Sequence, residues 1–171
     1  KENVALMKQL IPGMKRLVFV SDLIKANRDF SARLQEYIRK DFPDLTYQHI
    51  TTKDLSLVQL FDSLRSLDTK ENGILISTWF TKTSISHRLM IETSRSIASV
   101  CVPLFTLRYA GTEDGGMIGG YMYDKANYTK YLLQSIRSIL GGKSAREIPF
   151  YYPDDGCPVL NYKIMVEKGL N

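Results

Sequence analysis

What these 171 residues lack narrows the field first. No apolar run approaches the roughly 18 residues that a membrane-spanning helix needs, and Lys1-Glu2-Asn3 does not open the charged, apolar and small-residue regions of a signal peptide. A missing targeting segment says little about compartment. Cysteine is scarce: Cys101 and Cys157 are the only two, far apart, with neither a CxxC nor a Cys/His spacing that would hold a metal. Cys101 lies in an apolar stretch and reads as a buried free thiol, while a bridge to Cys157 stays open. Histidine is as rare, with His49 in a strand-like run and His87 on a helical one. No HExxH, GxSxG or Cys–His–acid arrangement surrounds either, so each reads as a packed or surface histidine and the chain does not read as an enzyme. The net charge of +5 comes from Lys and Arg spread along the chain without a basic run or a basic-aromatic stripe, which argues against nucleic acid as a partner.

What is present reads as alternating strands and helices. Arg16 to Asp22 is a β-branched and aromatic run ending in polar residues, as in a strand buried on both faces. Ala26 to Lys40 carries Phe30, Leu34, Tyr37 and Ile38 at helical spacing and stops before Pro43. Leu45 to Ile50 is a second strand. Asp54 is placed to cap a helix bearing Leu57, Leu60, Phe61, Leu64 and Leu67, with Asn72-Gly73 closing it. Ile74 to Trp79 is a third strand, Ser84 or Ser86 opens a helix through Ser99, and Val102 to Leu107 is a fourth strand with Pro103 at its start. This order predicts a Rossmann-like, doubly wound parallel sheet in a three-layer α/β/α sandwich. A glycine-dense loop from Gly111 to Gly120, a helix from about Ala126 to Leu140 and an extended tail with a turn follow.

In open parallel sheets ligands bind beyond the carboxyl ends of the strands. That rule selects Asp22, Trp79, Phe80, Arg108 and Tyr109, with Gly119, Gly120 and Tyr121 beyond the glycine loop. Aromatic groups with one acid and one guanidinium suit a small planar or sugar-like molecule. Each has a plainer reading: Asp22 serves equally as a helix cap, Trp79 as a core aromatic and Arg108 as a solvated charge. The glycine loop matches neither GxxxxGK[ST] nor the first βα turn of a dinucleotide site, and reads better as backbone that turns or approaches closely. Ser77-Thr78-Trp79-Phe80 offers no aspartate at the end of the third strand, which excludes a phosphoryl-accepting receiver domain.

Pro12 to Asp22, Gly73 to Trp79, Val102-Pro103-Leu104-Phe105 and Gly116 to Tyr121, in this order and spacing, resemble the second lobe of a type I periplasmic binding protein. The likeness covers nearly the whole chain and is nearest to the substrate-binding-like sensor regions of bacterial hybrid histidine kinases. It implies a division into residues 1–15, the end of a preceding lobe or a crossing helix; 16–110, the ligand-binding lobe; and 111–171, a crossing segment, returning helix and tail. It also implies a small-molecule ligand held between two lobes without cofactor or metal, a missing first lobe or a second copy as partner, and an extracytoplasmic, membrane-tethered location. Closure would be signalled to a kinase. An importer component, or a flavodoxin-like domain binding flavin or nucleotide, are the alternatives.

Overall fold

The computed structural model describes residues 1–79, 90–100, 102–109, 112, 116–149 and 156–170. Its centre is β1 (Arg16–Ser21), buried at every position but the first because it has a parallel neighbour on each side. β2 (Thr46–Thr51) lies at one edge, and β3 (Asn72–Ile76) and β4 (Leu104–Thr106) continue on the other side of β1. β5 (Gly119–Tyr123) runs parallel to β4, and β6 (Gly156–Leu160) closes the sheet antiparallel to β5. The order β2-β1-β3-β4-β5-β6 reverses direction between β1 and β3, which is where a doubly wound sheet opens a crevice.

Side-chain alternation builds two cores from one sheet. Leu17, Phe19, Leu75 and Phe105 face α1 (Glu2–Leu10) and α2 (Lys25–Asp41), meeting Val4, Met7, Leu34 and Ile38. Val18, Val20, Ile74, Ile76 and Leu104 face α3 (Leu57–Arg65) and α4 (Met90–Ala98), meeting Leu60, Leu64 and Ile97. Parallel strands covered on both faces require such unbroken apolar runs.

Several details differ from the sequence expectations. Ser56, not Asp54, caps α3 through a capping box with Gln59. Asp54 instead accepts the Thr51 amide and hydroxyl at 2.9 and 2.6 Å, closing the preceding turn. Asn72-Gly73 opens β3, where the ends of the Met14 and Met7 side chains pack against the bare Gly73 backbone. α1, within the residues 1–15 expected as the end of a preceding lobe or a crossing helix, packs on this sheet. Asn3 binds it as a strand would: its amide donates to Tyr121 O and accepts from Tyr121 N–H, both at 2.7 Å. The glycine-dense stretch ends in β5 and the tail supplies β6, followed by α6 (Tyr162–Glu167), where connecting backbone was expected. The predicted start of α4, with His87, and also Cys101 lie outside the described residues.

The helix after β5 is the exception to this packing. α5 (Lys125–Leu140), capped by Asp124, has no buried residue. Among the described residues, none of its large apolar side chains is less than 37% exposed, and Leu140 reaches 82%.

Candidate functional site

Three strand ends and the start of α2 converge on one cleft. Ser77 follows β3, Leu107, Arg108 and Tyr109 follow β4, Tyr123 ends β5, and Ala26, Asn27, Phe30 and Arg33 come from α2. Together they enclose about 510 Å³. The cleft lies at the carboxyl ends of the parallel strands, beside the reversal between β1 and β3, as topology requires.

A buried polar knot holds its floor. Asp22 is 4% exposed and its carboxylate accepts from Asn27 Nδ2 at 2.7 Å, Thr78 Oγ1 at 2.7 Å and the Ile24 amide at 3.2 Å. Asn27 also donates to Thr78 Oγ1 at 2.8 Å and accepts from Ser77 Oγ at 2.9 Å. Burying polar groups at a sheet's end is tolerable only when each finds a partner, and here each does. Asp22 thus fixes the junction of β1, α2 and β3, and presents Asn27 and Ser77 to the cleft.

The sequence-selected residues take different places. Arg108 and Tyr109 line the cleft. Trp79 is 3% exposed and lies in the core with Val20, Leu60, Leu64 and Ile76. Phe80 is outside the described residues. Tyr121 lines a neighbouring hollow of about 360 Å³ that shares Phe30 and Tyr123 with the cleft. Gly119 has φ +119°, and a Cβ on Gly120 would run into the Thr106 carbonyl, so both glycines serve close strand packing. Asn27, Phe30, Arg33, Ser77 and Tyr123 were not singled out by sequence. Tyr123 sits at the end of a strand hidden among glycines, Ser77 directly follows β3, and Asn27, Phe30 and Arg33 needed the placement of α2.

Around the rim, Tyr109 donates its hydroxyl to the Tyr123 carbonyl at 2.8 Å, and their rings meet edge to face at 5.8 Å. Lys125 Nζ sits 3.6 Å from the centre of the Tyr109 ring, and Tyr128 continues the aromatic row from Tyr123 at 5.7 Å. Desolvation raises the Tyr109 phenol above its ordinary pKa, and it is a donor at neutral pH.

Below the cleft, α2 is tied to β2 by hydroxyls around His49. Ser21 donates to the Asp22 carbonyl at 2.9 Å, so His49 Nε2–H donates to Ser21 Oγ at 2.8 Å and Nδ1 accepts from Ser31 at 2.9 Å. Tyr47 completes the chain on Ser31 at 2.7 Å. Burial holds His49 below its ordinary pKa of 6.5, opposed only in part by Asp54. Between the folded and unfolded pKa values the unfolded chain binds more protons, so stability rises with pH across that window and is lost toward acid. Denaturation is therefore expected to be easier at pH 5 than at pH 7, and His49→Gln should flatten that slope. Asp54, lowered mainly by its Thr51 hydrogen bonds, acts below its reference of 3.8 and stays outside this window. An unchanged slope in His49→Gln would assign the dependence elsewhere.

Among the described residues no group of three or more His, Cys, Asp or Glu side chains is arranged to hold a metal, and no helix is long and apolar enough to cross a membrane. No family model and no curated protein matches the sequence. Solved structures do. A substrate-binding protein with adhesive properties from Clostridium difficile, in its ligand-free, open structure, superposes with a TM-score of 0.70 at 17% identity, over 99% of this chain and 55% of that one. An ABC domain from Streptococcus pneumonia in complex with L-Trp gives 0.68 at 19% identity, over 99% and 56%. A LacI family transcriptional regulator from Bifidobacterium animalis gives 0.55 at 11% identity, over 91% and 58%. The chain thus spans little more than half of each neighbour. It has the fold of one lobe of a type I periplasmic binding protein, and at these identities the likeness extends to fold alone.

Proposed function

We propose that this chain is one lobe of a two-lobed, non-enzymatic small-molecule-binding protein, with the ligand held between the cleft described above and a second lobe seated on α5. The observation that carries this reading is α5 itself. It leaves the sheet from Tyr123, a cleft residue, and carries Tyr128, Leu132, Leu133, Ile136 and Leu140 uncovered. Residues 145–149 border one side of the helix across a groove of about 280 Å³, and Leu133, Ile136 and Leu140 remain open. An apolar face of this extent on a helix with no buried residue is stable in water only when another surface covers it. Because the helix departs from the cleft's edge, a lobe packed on it would overhang the cleft.

Of the sequence-selected residues, Arg108 and Tyr109 fit direct ligand contact best. Asp22, Trp79, Gly120 and Tyr121 fit roles in shaping and supporting the cleft. Closure of two lobes over a ligand is a two-state change that a membrane-linked histidine kinase can read, from an extracytoplasmic, tethered position. Delivery to an ABC importer is the alternative use. A thermal-shift screen of this chain, and of this chain joined to a first lobe, tests the reading against sugars, amino acids, nucleobases and nucleotides. A ligand that stabilises chiefly the two-lobed form, and loses that effect in Tyr109→Ala/Tyr123→Ala, is the expected result. Strong stabilisation of the single lobe by flavin or nucleotide would replace it with the flavodoxin-like alternative.

A further inference from the structure

We propose that the ligand of this cleft is an organic anion, with a carboxylate gripped between Arg33 and Arg108 and an apolar or aromatic body lying over Phe30, Leu107 and Tyr123. The inference rests on the reading of the cleft as the ligand site and adds the ligand's charge. Among the described residues the cleft is lined by two guanidinium groups and no Asp or Glu. The nearest carboxylate on its floor, Asp22, is buried behind Asn27 and spent on three hydrogen bonds.

Elsewhere on the surface Lys15 pairs with Glu71, Lys25 with Asp29, Arg65 with Asp62 and Lys163 with Glu167. Neither cleft arginine has an ion-pair partner among the described residues. Asp29, one turn before Arg33 on α2, is taken by Lys25, and Arg33 reaches only the Asp29 backbone carbonyl through Nε at 3.3 Å. Arg108 is held through its backbone, its N–H on Thr106 Oγ1 at 3.1 Å, and its guanidinium has no ion-pair partner among the described residues. One arginine comes from α2 and the other from the loop after β4, so a bound carboxylate would bridge the two walls. The planar fork of each guanidinium matches a carboxylate's paired oxygens, which an ammonium does not. Lys125, resting on the outer rim at Tyr109, adds a further positive charge beside the entrance.

The test is an NMR titration of the isotope-labelled chain at low ionic strength with three ligands sharing one ring: indolepropionate, tryptamine and uncharged skatole. Indolepropionate is expected to shift resonances of Phe30, Leu107 and Tyr123 and to bind on the order of tenfold more tightly than the other two. Arg33→Gln/Arg108→Gln should erase that preference while leaving the dispersed spectrum of a folded chain, and added salt should weaken only the anion. Equal binding of skatole or tryptamine at the same residues, or an anion preference that survives the double substitution, overturns the charge assignment and leaves the ring-binding cleft standing. If none of the three perturbs cleft residues, the charge assignment falls together with the reading of this cleft as the site of a ring-bearing ligand.

Discussion

Trp79→Ala is expected to cost about 3–5 kcal/mol of folding stability, the range for emptying a large aromatic from a packed core. Against the 5–15 kcal/mol that holds a typical domain together, that is a loss capable of leaving much of the chain unfolded at physiological temperature. The cause is position. Although Trp79 follows β3 at the cleft end of the sheet, its ring is 3% exposed in the core that includes Val20, Leu60, Leu64 and Ile76. Urea unfolding followed by circular dichroism measures the effect, since the substitution removes the only tryptophan and with it the fluorescence signal. A variant of unchanged stability but weakened ligand binding would return the ring to the cleft.

Asp22→Ala is expected to cost about 3 kcal/mol, because it removes the acceptor of buried donors on Asn27 and Thr78. Asp22→Asn should recover part of the loss, restoring one acceptor oxygen while setting an amide against a remaining donor. Its consequences extend to the cleft. Asn27 and Ser77 both line the cavity and both depend on this knot, so ligand affinity should fall along with the unfolding midpoint. Thr78→Val, which removes a single partner, should fall between the wild type and Asp22→Ala. Equal midpoints for Asp22→Ala and the wild type would mean that the knot closes around water without the carboxylate.

These two residues illustrate how far a sequence carries a site. Both were selected because they follow apolar runs, and both do stand at strand ends. Strand-end position, however, does not distinguish a side chain that points over the edge from one that turns back into a layer. Trp79 turned toward α3 and Asp22 toward α2, the plainer roles already open to them in the sequence. Arg33 was invisible for the opposite reason: on a helical wheel it is an ordinary solvated charge, and only the seating of α2 across the end of β1 brings it to the cleft. Tyr123 was lost in a strand whose first residues are glycines. Such residues weaken every strand signal, yet β5 needs them where Val159 and Thr106 press against its backbone.

The alternation of buried strands with amphipathic helices was determined by the sequence alone, because an apolar run of five or six residues and a stripe at 3.6-residue spacing are local properties of the chain. From them followed the doubly wound sheet and the edge at which a ligand would lie. The tertiary structure alone decided which side chains at that edge face the cleft, that α1 belongs to this sheet, and that α5 stands uncovered beside it. Those outcomes depend on contacts between residues distant in the chain, such as Asn3 with Tyr121 and Asn27 with Thr78, and no periodicity within either segment encodes them.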